Sequence, residues 1–340
     1  MSRSMTAAVF DGTQRLVLTE LPIQEPADNE VLIEIDSATI CGTDLHILEG
    51  KFESKPPVVL GHEFSGRVAK TGSLVRNCTV GDLVSVEPHI YCGRCKPCRT
   101  GKPHLCTDRL AWGINLNGGF AQYATVRDDV VYHVPAGLSG EEAALAELLG
   151  CVMNGIERLA VGIGDAVVIL GGGAAGILLA KLAQKRGAAQ IIFSEPNEAR
   201  REAILELGYR HVFDPGAVDL AQEIEKLTEG GADVVIDAAG VPATAELAPR
   251  LAARAGRILF FGVMAPGRRI EIEPNLVFSR ELSILGSIRN PFTHHRILQL
   301  MPQLGLDGLI THRFGLDQIQ EAFDAARQGA GLKICIKPNG

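Results

Sequence analysis

Residues 166–176 read AVVILGGGAAG, an apolar run that passes straight into a glycine turn, and GILLAKLAQKRG (176–187) continues with helical spacing. Few sequences of this form fold as anything but a strand, a tight turn and a helix. The same alternation continues downstream. QIIFS (190–194), DVVID (233–237), GRILFFG (256–262) and LSILGSI (282–288) read as strands. EARREAILELG (198–208) and ATAELAPRLAA (243–253) read as helices between them. Strands that are apolar on both faces and alternate with helices predict an α/β unit, a parallel sheet covered on both sides.

The region before it has another texture. VLIEIDSATI (31–40), EFSGRVAKTG (63–72), GDLVSVEP (81–88) and AQYATVRD (121–128) are short, rich in β-branched residues and bounded by Gly, Pro, Asn and Asp, which predicts a β-rich unit. EEAALAELLGCVMNGIERL (141–159) reads as a helix leading into the α/β unit. The last fifty residues are mixed and end in a strand, LKICIKP. A chain of 340 residues exceeds a single ordinary core, so two domains are expected.

In the glycine turn, Gly171 permits the tight bend, Gly173 lets the backbone approach a pyrophosphate and Gly176 lets the helix pack against the strand. The pattern gains weight from Glu195, which ends the next strand 19 residues past the last glycine. An acid there accepts hydrogen bonds from ribose hydroxyls and repels a 2′-phosphate, which predicts NAD as the cofactor. Arg200 and Arg201 follow. A nearby Arg can receive a 2′-phosphate, but one turn into the next helix both are expected on its solvated face.

Cys92, Cys95, Cys98 and Cys106 crowd half of the eight cysteines into fifteen positions, with Gly93, Lys96, Pro97 and Gly101 as turn formers. Four thiolates on one loop form a closed tetrahedral zinc site. The rival, an iron–sulfur cluster, uses a different last spacing and a Pro after the final Cys, where this chain has Thr107. His89 and His104 flank the loop and read as ordinary loop histidines, since four thiolates already fill a tetrahedron.

Two further segments, Cys41-Gly42-Thr43-Asp44-Leu45-His46 and Gly61-His62-Glu63, combine a thiolate, an imidazole and a carboxylate, the mixture that catalytic zinc takes. Glu147 adds an acid inside an apolar helix, costly to bury unless paired or metal-bound. Cys151, one helical turn on, is a rival ligand.

Taken together these motifs resemble the zinc-containing medium-chain dehydrogenases, and most nearly their sorbitol (polyol) and threonine dehydrogenase branch. The resemblance spans essentially the whole chain. It implies a GroES-like β-rich catalytic domain at 1–150, completed by 290–340, and a doubly wound Rossmann domain at 151–289. It implies Cys41, His62, Glu63 and Glu147 as the catalytic zinc site, with Thr43 touching the substrate oxygen, Asp44 behind the zinc and His46 at the outer end of a proton relay. Phe261-Gly262-Val263 and Ser287-Ile288-Arg289 would line the cofactor, with Arg289 on phosphate or substrate. The chain departs from the branch at Leu148, where Pro is usual after the ligand acid, and at Ile47, where polyol enzymes often carry an aromatic residue.

The expected activity is hydride transfer from a secondary hydroxyl of a small polyol or sugar alcohol to NAD, with two zinc ions per chain. CGTDLHI also suits an L-threonine 3-dehydrogenase or another amino-alcohol enzyme, with Arg289 as the cation for a carboxylate. A non-catalytic relative that had lost its metal would lack Cys41, His62 or Glu63, and all three are present. Net charge is −7, with no Lys/Arg block, so nucleic acid and anionic membranes are not expected partners. No run of about 18 apolar residues predicts a membrane span. The opening MSRSMTAAVFDG lacks a signal-peptide core. A cytoplasmic homodimer or homotetramer is expected.

Overall fold

The computed structural model describes residues 4–340. The first three residues of the N-terminal segment read for targeting lie outside them. Two compact units emerge: one runs to Gly150 and resumes at Pro291–Gly340, the other is Cys151–Asn290.

The first unit is β-rich. Strands Ser4–Phe10, Leu16–Pro22 and Val58–Val59 form a small sheet. The larger sheet runs Val131–His133, Leu83–Val86, Glu63–Thr71, Glu30–Thr39, Lys333–Lys337 and Ile310–Gly315, with Tyr123–Arg127 also paired to Glu30–Thr39. The C-terminal strand therefore inserts beside Glu30–Thr39, with Cys335 opposite Thr39. On the other side of Glu30–Thr39, Thr39 lies opposite Glu63. A core of Ile33, Ile35, Phe64, Phe120, Phe323 and Ile336 fills this unit.

The second unit holds a six-stranded parallel sheet. Its strands, numbered along the chain, take the spatial order 3-2-1-4-5-6: His211–Phe213, Gln190–Ser194, Ala166–Leu170, Ala232–Asp237, Ala252–Phe260 and Ser283–Gly286. The apolar runs of its central strands are buried: Val167, Val168, Ile169 and Leu170 are all at 0% exposure. The topological switch falls between Ala166–Leu170 and Ala232–Asp237, beside the glycine turn, where such sheets bind ligands. This is the doubly wound α/β architecture expected.

Four local differences appear. The helix expected over 141–159 is two, Gly140–Ala144 and Ala146–Leu159. Ser139 starts the first of them, accepting from Glu142 N–H while Glu142 reaches back to the Ser139 N–H. The strand expected at 256–262 starts earlier, at Ala252, directly after a helix that carries Pro249 in its last turn. The segment Cys41–His46, which follows the strand expected at 31–40 and has no expected element of its own, opens a short helix, Gly42–Leu48. The mixed C-terminal region holds helices His294–Leu300 and Ile319–Arg327.

Candidate metal and dinucleotide sites

Cys41 follows the strand Glu30–Thr39 and caps the helix Gly42–Leu48. Its backbone N–H donates to Asp44 Oδ2 at 2.9 Å, which closes the turn and buries the Asp44 carboxylate completely. Asp44 Oδ1 stands 3.3 Å from His62 Nδ1. His62 and Glu63 lie at the start of the neighbouring strand Glu63–Thr71. One ligand atom each of Cys41, His62 and Glu63 lies within 4.8 Å of the other two. Residues distant in sequence thus converge where two strands begin and end.

Burial pushes His62 toward its neutral form, but the charges of Asp44 and Cys41 overturn this and raise its pKa well above the ordinary value. For Glu63, burial raises the pKa and Lys333 and His62 outweigh it, holding the carboxyl ionised. Glu63 Oε2 accepts from Lys333 Nζ at 2.5 Å and from Thr39 Oγ1. Its other oxygen, Oε1, is buried with no hydrogen-bond partner. A buried, unsatisfied carboxylate oxygen beside a thiol and an imidazole is what a metal-binding residue leaves when its own bond to metal is discounted. The residues fit a zinc ion.

Of the other sequence-predicted residues of this site, Thr43 and His46 follow Cys41 closely, while Glu147 and Cys151 come from a later helix. Thr43 and His46 are half-buried on the helix Gly42–Leu48, and His46 Nδ1 is a buried atom with no hydrogen-bond partner. Glu147 is 5% exposed in the first turn of Ala146–Leu159, but it is not part of the three-residue cluster. The carboxylate brought to Cys41 and His62 is that of Glu63. Cys151 is half-buried.

Cys92, Cys95, Cys98 and Cys106 form the second cluster, their Sγ atoms all within 4.8 Å of one another. None of the four is in a disulfide. Cys92 N–H donates to Cys106 Sγ and Cys95 N–H to Cys92 Sγ, both at 3.4 Å. Backbone donation from Cys98 lowers the Cys95 pKa to about 6, so this thiolate is already favoured for a metal. His104 is buried in the short 3-10 turn Pro103–Leu105, and His89 in the strand His89–Ile90.

In the second unit, Gly171 takes a φ of +109°, open to glycine at no cost. A Cβ on Gly176 would lie 2.0 Å from Gly171 O, so the helix Ala174–Arg186 can approach the strand only because Gly176 has no side chain. Gly173 precedes that helix and faces open space; a Cβ there would meet only Arg200 Nη1, at 4.0 Å. Glu195 is 4% exposed; its Oε2 accepts from Gly172 N–H at 2.7 Å and its Oε1 from Asn197 N–H at 2.8 Å. The predicted acid thus sits against the glycine turn. Arg201 departs from its expected solvated position. It braces the turn, donating to the carbonyls of Glu195 and Pro196 and pairing with Asp214 at 3.4 Å.

Val263 is exposed beyond the end of Ala252–Phe260. Ser287 and Arg289 follow the edge strand, and sequence reading missed what holds them. Asn154 Nδ2 lies 3.1 Å from Ser287 Oγ, 3.2 Å from Ile288 O and 3.0 Å from Arg289 O. Lys333 and Thr39 were missed as well. The visible signal was a lysine inside the apolar strand LKICI.

Known proteins bear on the whole chain. Residues 27–136 match the alcohol dehydrogenase GroES-like domain and residues 174–335 the zinc-binding dehydrogenase domain. An L-threonine 3-dehydrogenase from Pyrococcus abyssi is 36% identical, over 93% of each chain. A sorbitol dehydrogenase from Halalkalibacterium halodurans is 31% identical, over 96% of this chain and 97% of its own. Among solved structures, a presumptive zinc-binding dehydrogenase from Sinorhizobium meliloti 1021 bound to NADP superposes with a TM-score of 0.93 at 36% identity, over 99% of this chain and all of its own. The 2R,3R-butanediol dehydrogenase of Bacillus subtilis gives 0.91 at 29% identity, over 98% of this chain and 100% of its own. With a cysteine–histidine–glutamate cluster in one unit and a glycine-turn nucleotide fold in the other, the chain belongs to the zinc-binding alcohol dehydrogenases of the medium-chain family, a group of oxidoreductases.

Proposed function

We propose that the protein oxidises a secondary hydroxyl of a small polyol or sugar alcohol, passing the hydride to NAD. The observation that carries this reading is the Cys41–His62–Glu63 cluster with its unsatisfied Glu63 oxygen. A zinc ion held there would supply Lewis acidity to a hydroxyl, and NAD, when bound, would be the hydride acceptor. The chain's own residues do the rest. Asp44 holds His62 by its Nδ1 side and leaves Nε2 for the metal. Thr43 would accept the hydroxyl proton as it passes its own on to a ribose hydroxyl or water, from which His46 takes it outward. Glu147, buried in the first turn of Ala146–Leu159, binds the zinc directly or through the water that the substrate displaces. Cys92, Cys95, Cys98 and Cys106 hold a second, structural zinc with no open position.

Glu195 supports NAD, since a carboxylate held against the glycine turn would repel a 2′-phosphate. Gly171, Gly173 and Gly176 admit the pyrophosphate, and Arg200, Val263, Ser287 and Arg289 complete the cofactor's surroundings. Two relatives named for sorbitol and butanediol dehydrogenation favour a polyol. A second reading, L-threonine as substrate, is favoured by relatives of that name at up to 36% identity, with Arg289 receiving the carboxylate.

We place the protein in the cytoplasm as a homodimer or homotetramer. Reducing conditions suit the thiol cluster. The edge strand Ser283–Gly286 offers an open backbone edge, and Phe278 before it is 81% exposed. No described helix is long and apolar enough to cross a membrane. The deciding experiment is an NAD-reduction screen over polyols, amino alcohols and simple secondary alcohols. Turnover confined to polyols establishes the first reading, and turnover confined to L-threonine replaces it with the second.

A further inference from the structure

Lys333 is the least expected side chain in the first unit. It is 5% exposed on the strand Lys333–Lys337, between apolar neighbours. The strand register explains where it goes. Cys335 lies opposite Thr39 and Ile336 opposite Ala38 in antiparallel pairing, and Ile40 N–H donates to Ile334 O at 3.0 Å. Extending that register sets Lys333 at the level of Cys41. Thr39 in turn lies opposite Glu63. Three strands thus deliver a lysine, a threonine and a glutamate to one place, beside two candidate metal ligands.

The contacts are asymmetric. Both Lys333 Nζ and Thr39 Oγ1 donate to the same oxygen of Glu63, Oε2, and neither reaches Oε1. Oε1 is buried and has no hydrogen-bond partner. An ion pair serving the fold alone would gain from satisfying both oxygens, because burying a carboxylate and an ammonium costs much of what their attraction returns.

We propose that Lys333 is a positioning residue of the metal centre: together with Thr39 it occupies one oxygen of Glu63, so that the carboxylate meets the metal through the other oxygen alone. This rests on the reading of Cys41, His62 and Glu63 as metal ligands. Its consequence is a free coordination position. A carboxylate that binds through both oxygens fills two places, whereas one held back by Lys333 fills one and leaves room for the substrate hydroxyl. Lys333 also supplies positive charge directly beside the Glu63 carboxylate.

The test uses the full chain with cobalt(II) exchanged into the Cys41–His62–Glu63 site, in wild type and in Lys333→Met, Lys333→Arg and Thr39→Val. Zinc in the four-cysteine site reports that each variant is folded. The readouts are the visible absorption of the cobalt, intense for four-coordinate and weak for five-coordinate ions, and metal affinity by chelator competition. The expected result is a weakened cobalt band in Lys333→Met with metal affinity altered about 10–100-fold, a smaller change of the same sense in Thr39→Val, and a near-normal band in Lys333→Arg. A wild-type spectrum and affinity in both Lys333→Met and Thr39→Val would overturn the proposal. If Lys333→Met does not fold, Thr39→Val decides alone: a wild-type band overturns the proposal and a weakened band supports it. A wild-type chain that takes up no metal at Cys41, His62 and Glu63 overturns the underlying site reading, and this inference with it.

Discussion

Under the proposed function, Glu195 is the side chain that decides between NAD and NADP. One of its oxygens is tied to Gly172 N–H at the glycine turn and the other to Asn197 N–H at the start of the next helix, so the charge is fixed in place and cannot swing away from an incoming phosphate. NAD is expected to give the higher kcat/KM, and Glu195→Ala to narrow the gap to NADP; steady-state kinetics with both cofactors measures this. Preference for NADP in the unmutated enzyme would assign the decision to Arg200, whose guanidinium overhangs Gly173. Glu87 is a second residue with a readable consequence. Burial raises its pKa from 4.5 to about 7, although Tyr132 and Tyr91 donate to it. Between those values the native state holds a proton that the unfolded state has lost, so its contribution to stability falls as pH rises. Tyr132 also packs on His294, whose pKa burial lowers from 6.5 to about 3. There the unfolded state takes the proton, so stability is lost as pH falls below about 6.5. The two slopes oppose each other between about pH 4.5 and 6.5. Glu87→Gln is expected to expose the His294 slope, giving a variant that loses stability on acidification more steeply than wild type, by up to about 3 kcal/mol. Denaturant midpoints at pH 5 and 7.5 check it, and parallel profiles would contradict it.

Among the elements, the helix Ala174–Arg186 depends on a missing atom. Gly176→Ala would drive a Cβ into Gly171 O, so the helix must shift off its strand at a cost of about 1–3 kcal/mol. The expected result is a raised KM for NAD together with a lowered melting temperature. Loss of stability with an unchanged KM would separate the turn from cofactor binding. On the helix Ala146–Leu159, Glu147 is buried and Cys151 half-buried. Glu147→Ala is expected to lower kcat severely and weaken catalytic metal about 10–100-fold, whereas Cys151→Ala costs mainly a little stability. Zinc content and kcat of the two variants side by side decide it, and the reverse pattern would make Cys151 the ligand. These elements also mark what sequence can reveal. The glycine turn and the four-cysteine loop were legible because their function lies in local spacing, within fifteen residues or fewer. The helix Gly42–Leu48 was not, because a helix of 7 residues carries no periodicity of its own; its start is set by the Cys41–Asp44 contact. Lys333, Thr39 and Asn154 were missed for a related reason. Each acts through partners set by strand register or by a distant turn, such as the 135 positions that separate Asn154 from Arg289.

At the scale of the whole molecule, two architectures share the chemistry. The parallel sheet, with its strand order reversing beside the glycine turn, offers a dinucleotide site. The β-rich unit carries both clusters of metal-binding side chains found among the described residues. The C-terminal strand belongs to this unit and not to the sheet it follows in sequence, so it is this strand that brings Lys333 to Glu63. The two clusters differ in a way that gives the most direct test. Four thiolates make a closed site that releases metal slowly, while Cys41, His62 and Glu63 leave an open position and should release it first. The decisive measurement is zinc content and dehydrogenase activity followed together during graded chelation. The account predicts about two zinc ions per chain at the start, complete loss of activity as the first departs, and a chain that stays folded until the second is lost. At most one zinc per chain, with full activity retained, would contradict it.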